Sequence, residues 1–187
     1  MRSVCVFCGS AMGSLDNYAD TAAALGRAIA NRGMTLVYGG AHVGLMGVVA
    51  DAALGAGGRV VGVIPTSLVN RELAHTRVQD LRIVASMHER KNTMAALSDA
   101  FIALPGGVGT LDELFEMLTW TQLGFHDKPS VLLDVDGYFD PLVGFVDRAV
   151  AHGFIQRSCR EALLVETDVE RALDRCADAV SSPSSPG

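Results

Sequence analysis

The chain has 187 residues (19.7 kDa), of which 49% are hydrophobic, with a mean hydropathy of +0.29 and a formal net charge of -6. High apolar content at modest charge excludes disorder for the bulk of the chain, and a pI of 5.3 argues against the basic face that nucleic acid requires. No stretch approaches the ~18 apolar residues of a membrane span, and the run Val4-Cys5-Val6-Phe7 breaks at Gly9, too short for a signal peptide. A single domain over residues 1–180, soluble and cytoplasmic, is the expectation.

Short β-rich runs alternate with longer helical ones. Ser3 to Phe7 reads as a strand, followed by the loop Cys8 to Gly13 and a helix from Asp16 to Asn31. Thr35 to Tyr38 is the next strand; Gly39-Gly40 and a helix from Gly44 to about Ala56 follow. A third strand, Val60 to Ile64, is ended by Pro65. Residues 66–80 are polar and without period, which predicts a long functional loop. Leu81 to Val84 is a strand, Met87 to Ser98 a helix, and Ala100 to Leu104 a strand cut by Pro105-Gly106-Gly107. A helix then runs from Leu111 to about Leu123; Val131–Leu133 and Leu163–Val165 are further strands, each followed by a helical segment. The Ser/Pro-rich end, residues 181–187, reads as a disordered tail.

Strands that are continuous apolar runs are buried on both faces, and their alternation with helices implies right-handed crossovers. The predicted architecture is therefore α/β: a doubly wound, Rossmann-like parallel sheet with helices on both faces. Ligands of such folds bind outside the carboxyl ends of the strands.

Cys5 and Cys8 form a C-x-x-C, but inside a strand residues three apart point to opposite faces, so they read as buried structural thiols. No second C-x-x-C and no histidine pair at ligand spacing supports a metal site. Three segments directly after strands are glycine-rich: Cys8 to Gly13, Gly39 to Gly47, and Gly106 to Gly109. One such turn is ordinary chain reversal. Three in successive strand–helix units point to an anion site, because glycine lets backbone N–H groups approach a phosphate and the next helix N-terminus adds partial positive charge. There is no Gly-Lys pair, which excludes a P-loop, and no G-x-G-x-x-G after the first strand. A ligand with a single phosphate fits better.

Within Pro105-Gly106-Gly107-Val108-Gly109-Thr110-Leu111-Asp112-Glu113, Thr110 and Glu113 have the spacing of a capping box. A merely structural carboxylate beside an anion site would repel the ligand, so nearby positive charge is required. Arg90 and Lys91, near the start of the preceding helix, can supply it. Cations are disfavoured at that helix end, which implies a bound anion or a partner carboxylate.

These residues resemble a known family. Pro105 to Glu113 carries the PGGxGTxxE signature of the LONELY GUY (LOG) proteins, the cytokinin riboside 5'-monophosphate phosphoribohydrolases. Further matches are Cys8-Gly9-Ser10, Tyr38 to Gly47, Met87-His88-Glu89-Arg90-Lys91, Thr119 to Gly124, His126-Asp127-Lys128-Pro129 and Asp136-Gly137-Tyr138. The match runs from about residue 2 to 170, with Ala41 standing where the family often has a third glycine. The resemblance implies hydrolysis of the N-glycosidic bond of adenosine 5'-monophosphates, those substituted at N6 preferred, releasing adenine or free cytokinin base and ribose 5-phosphate without metal or other cofactor, by a homodimer whose sites lie near the interface. It implies Arg90 and Glu113 as catalytic residues. The implied substrate-binding set is Gly9, Ser10, Gly40, Met87, Lys91, Pro105, Gly106, Gly107, Val108, Gly109 and Thr110.

The chemistry suits these residues. Glycosidic cleavage develops oxocarbenium-like charge on the ribose, and a carboxylate placed there stabilises it and orients water. The helix terminus and Arg90 are expected to favour the ionised form of Glu113. Leu111, Leu114, Phe115, Met117, Leu118 and Trp120 leave their helix apolar nearly all round, as core plus a dimer contact, or as a pocket wall. Two rivals remain. Pyridoxal-phosphate chemistry needs a Schiff-base lysine, and only Lys91 and Lys128 exist. The alternative is a non-catalytic nucleotide or molybdenum-cofactor binder on the same fold.

Overall fold

The computed structural model describes residues 1–69 and 73–181. Seven parallel strands form one sheet in the order β4-β3-β2-β1-β5-β6-β7. The strands are β1 (Ser3–Phe7), β2 (Thr35–Tyr38), β3 (Arg59–Pro65), β4 (Asp80–Val84), β5 (Ala100–Ala103), β6 (Ser130–Leu133) and β7 (Leu163–Glu166). The helices are α1 (Asp16–Asn31), α2 (Gly44–Gly55), α3 (Thr66–Val69), α4 (Met87–Ala96), α5 (Val108–Gln122), α6 (Asp140–Ala151), α7 (Arg157–Ala162) and α8 (Val169–Ser181). Among the described residues no helix is long and apolar enough to cross a membrane.

The doubly wound arrangement follows from strands that are apolar on both sides. β1 sends Val4 and Val6 into one core, shared with Leu25 and Ile29 of α1, Leu45 and Val49 of α2, and Leu173 of α8. Its alternate residues Cys5 and Phe7 enter a second core with Met94 of α4 and Leu114, Met117 and Leu118 of α5. Cys8 lies with the first core, so the two cysteines do face opposite sides of the sheet. Both are free and buried, and burial pushes both thiols well above the ordinary range.

Topology creates the functional edge. The chain steps outward from β1 through β2 and β3 to β4, then returns across the sheet to place β5 on the other side of β1. The strand order reverses between β1 and β5, and at such a switch point the two departing loops diverge to leave a crevice. The loops that flank it are Cys8 to Gly13 and Leu104 to Gly107.

The structure departs from the sequence reading at several points. The stretch after β3 begins as the short helix α3 rather than as loop, and Pro65 pairs with Val84 as the last residue of β3 instead of ending it. β4 is an edge strand with Ile83 59% exposed, so its apolar run is not covered on both faces. α5 starts at Val108, three residues before the expected Leu111. The expected tail lies outside the described residues apart from Ser181, which closes α8.

Candidate active site

At the crevice the loops after β1 and β5 are tied together by the Gly9 amide, which donates to the Pro105 carbonyl at 3.0 Å. A cleft of about 270 Å³ opens there, lined by Gly9, Ser10, Leu45, Gly106, Gly107 and Tyr138 among others. Gly106 is required by crowding: a Cβ would overlap the Thr110 hydroxyl and lie 2.8 Å from the Gly9 nitrogen.

The earlier start of α5 changes the meaning of Thr110. Gly107 is the N-cap and brings no capping side chain, so Thr110 sits inside the first turn and makes no capping box with Glu113. A side-chain cap occurs instead on α4, where the N-cap Ser86 accepts from the Glu89 amide at 3.1 Å and the Glu89 carboxylate accepts from the amide of Ala85, one residue before the cap, at 2.7 Å. Capped α4 and uncapped α5 have opposite consequences. The amides of Val108, Gly109 and Thr110 have no acceptor among the described residues and point out of the α5 terminus, where they carry the partial positive charge of the helix.

One turn further on, Glu113 is 7% exposed and its Oε1 accepts from Arg90 Nη1 at 2.6 Å. Arg90, also 7% exposed, anchors its Nε on the Val63 carbonyl at the end of β3, 3.1 Å away. The carboxylate anticipated as a partner is, for Arg90, Glu113. Lys91 has two, with its Nζ 2.7 Å from Glu116 and 3.2 Å from Asp112, and those ion pairs raise its pKa against the opposing effect of burial. Its charge is spent on the flank of α5, away from the residues that line the cleft.

Burial pushes the Glu113 carboxyl above the ordinary glutamate value, with Arg90 opposing the rise. The expectation that the helix end and Arg90 would hold it low is therefore corrected: removal from water outweighs both. A carboxylate of raised basicity held against a guanidinium is a better proton acceptor toward a bound water than an exposed one.

Of the residues singled out from the sequence, Gly9, Ser10, Pro105, Gly106 and Gly107 come together around the cleft, with Val108, Gly109 and Thr110 in the adjoining helix turn. Gly40 does not line the cleft. It holds a positive φ of 75° and receives the His75 amide on its carbonyl, and a Cβ there would press on Ile64 and Leu81. Met87 opens α4 and is 44% exposed, also off the cleft. Sequence reasoning passed over Gly39, although a Cβ there would overlap the Arg90 guanidinium; the Gly39-Gly40 pair was the available signal. It also left Tyr138 without a role, and no local pattern assigns one.

Comparison with known proteins bears on this geometry. A family model described as "Possible lysine decarboxylase" matches residues 46–176. The chain is 52% identical over 163 residues to cytokinin riboside 5'-monophosphate phosphoribohydrolase LOG3 of Arabidopsis thaliana, covering 87% of this chain and 76% of that protein. It is 52% identical, over 87% of this chain and 67% of the other, to cytokinin riboside 5'-monophosphate phosphoribohydrolase LOG of Oryza sativa subsp. japonica. Among solved structures, the molybdenum cofactor carrier protein of Chlamydomonas reinhardtii superposes with a TM-score of 0.75 over 97% of this chain and 99% of that one, at 23% identity. The molybdenum cofactor binding protein of Rippkaea orientalis gives 0.72 over 96% and 97%, also at 23% identity. At that identity the likeness is one of fold. The sequence matches go further: this chain belongs to the LOG family of cytokinin riboside 5'-monophosphate phosphoribohydrolases.

Proposed function

We propose that this protein hydrolyses the N-glycosidic bond of adenosine 5'-monophosphates, including N6-substituted ones, releasing adenine or the free cytokinin base and ribose 5-phosphate. The observation that carries the reading is the buried Arg90–Glu113 pair one helical turn beyond a glycine loop whose amides from Gly107 to Thr110 have no acceptor among the described residues. The names of the relatives at about half identity support the same activity.

In this reading the phosphate docks on the amides of Gly107 to Thr110, with Gly9 and Ser10 closing the other side of the crevice. Anchoring at the phosphate leaves the ribose over the first turns of α5, where Glu113 stands. As the bond between C1' and the purine nitrogen breaks, its electron pair leaves with the base and positive charge develops on the sugar. The Glu113 carboxylate faces that charge, orients water toward C1' and accepts the proton the water gives up as its oxygen bonds to C1'. The departing base takes up a proton from solvent, and Glu113 then releases its own, so one water is consumed and the carboxylate is restored. Arg90 fixes the carboxylate and contacts the ribose or phosphate.

A Schiff-base decarboxylase is disfavoured by both lysines. Lys91 is held as a cation between Asp112 and Glu116. Lys128 donates to the Ala95 carbonyl at 2.7 Å and precedes β6, at the amino edge of the sheet, opposite the crevice. A non-catalytic binder has no use for a buried carboxylate of raised basicity beside the sugar.

The reading includes a cytoplasmic homodimer with sites near the interface. Val108, Leu111, Phe115 and Trp120, rimmed by Asp112, Glu116 and Thr119, line an open hollow of about 550 Å³ on α5, with Val108 86% exposed, a mixed face whose apolar side chains a second copy would cover. Incubation with AMP and with isopentenyl-AMP, followed by chromatography, tests the activity: free base and ribose 5-phosphate in equal amounts support it, and unchanged nucleotide refutes it.

A further inference from the structure

The glycine loop has a feature that neither its glycines nor the helix terminus explains. All three carbonyls of Pro105-Gly106-Gly107 already have donors. Pro105 receives the Gly9 amide at 3.0 Å and Gly107 receives the Leu111 amide at 3.2 Å, both from the backbone. Gly106 receives the phenolic hydroxyl of Tyr138, which arrives from the loop between β6 and α6, 32 residues away. The loop therefore has its acceptors occupied while the amides from Gly107 to Thr110 have no acceptor among the described residues.

That asymmetry matters for an anion. A peptide flanked by Gly106 and Gly107 has little steric resistance to rotation, because both residues tolerate most of backbone space. A trans peptide holds its carbonyl and its N–H on opposite sides. A bond that fixes the Gly106 oxygen thus fixes the direction of the Gly107 N–H, and a flip would present a lone carbonyl where a phosphate must sit.

Tyr138 is itself firmly held. Its approach depends on a turn in which Asp136 has a φ of 54° and Gly137 a φ of 73°. Asp136 accepts from the Asn17 side chain at 2.9 Å, and Asp134 accepts from the Phe139 amide at 2.7 Å. A non-glycine residue with positive φ costs energy and persists only where its surroundings over-determine it. The Tyr138 ring packs edge-on to Tyr18 and Phe139, with centroids 5.8 and 5.0 Å away. The residue remains 40% exposed and lines the same cleft as Gly106 and Gly107, so the ring is not there to fill the core.

We infer that Tyr138 is a positioning residue for the phosphate cradle: by holding the Gly106 carbonyl it keeps the Gly107 amide turned toward the ligand. This rests on the proposed phosphoribohydrolase reading and adds to it a residue on the far side of the switch point. Tyr138 acts on phosphate recognition, and the chemistry remains with Glu113.

Tyr138→Phe removes the hydroxyl and keeps the ring; Tyr138→Ala removes both. Both variants should raise KM for AMP and the inhibition constant of ribose 5-phosphate about tenfold, the size expected for one lost hydrogen bond that leaves an unsatisfied acceptor. Inhibition by adenine, which carries no phosphate, and kcat should be unchanged in Tyr138→Phe. Equal ribose 5-phosphate inhibition in Tyr138→Phe and the unmodified protein would overturn the inference. So would a loss confined to Tyr138→Ala, or equal weakening toward adenine and ribose 5-phosphate, since each marks a packing role. Should the unmodified protein release no adenine from AMP, the hydrolase reading fails, and calorimetric binding of ribose 5-phosphate to the same variants still decides the role of Tyr138.

Discussion

Gly39 supplies the space that the Arg90 guanidinium occupies: a Cβ at residue 39 would overlap Nη2 and come within 3.1 Å of the Met46 sulfur. The glycine after β2 thereby sets the position of an arginine on α4, which in turn bonds Glu113 on α5. Three strand–helix units meet in one buried pair.

Gly39→Ala should therefore act on catalysis before stability. The atom it strikes is the far end of a flexible side chain, so Arg90 moves while the sheet stays intact. A displaced electrostatic partner at a reacting centre costs on the order of 10²-fold in kcat/KM, whereas the fold should lose only about 1–2 kcal/mol, a fall in Tm of a few degrees. Adenine release and thermal melting of the same sample check the two halves.

Gly106→Ala should behave differently, because its Cβ would meet backbone as well as a side chain, 2.8 Å from the Gly9 nitrogen and 2.7 Å from Thr110 Cβ. The link between the two crevice loops would open. We expect KM for AMP to rise by about 10- to 100-fold with a stability loss of about 1–3 kcal/mol. Unchanged KM would remove the loop from the phosphate site.

The acid limb of kcat/KM should report Glu113. Its folded pKa lies above the ordinary glutamate value of 4.5, so activity rises with pH through a midpoint higher than that as the carboxyl ionises. Arg90 is the main influence lowering it. In Arg90→Gln the residual activity should show the midpoint displaced further upward, because the main opposing charge is gone. An acid limb at or below the ordinary value, or one unmoved by the substitution, contradicts the buried-base description.

The layout of the sheet was readable because its information is local: the apolar runs of β1, β3 and β5 show that both faces are covered, and the glycines after β1, β2 and β5 mark the edge where ligands bind. The boundaries that misled were those where tertiary context decides. Thr110 and Glu113 have capping-box spacing, yet burial recruits Glu113 to Arg90, and Gly107 starts the helix one turn earlier. The direction of the Glu113 pKa is hidden for the same reason, since a sequence displays the charges near a carboxyl but not the loss of water around it. Tyr138 was unreadable as a support because it acts on Gly106 across 32 residues, through a hydroxyl-to-carbonyl bond that has no periodicity or motif.

The most direct measurement is made on Glu113→Gln, which keeps the shape and a hydrogen-bond acceptor for Arg90 while removing the charge. AMP binding by calorimetry and adenine release by chromatography are recorded on the same preparation. The account predicts AMP affinity within about threefold of the unmodified protein and turnover lower by about 10³-fold. Release of adenine at the unmodified rate, with AMP still bound, would contradict it.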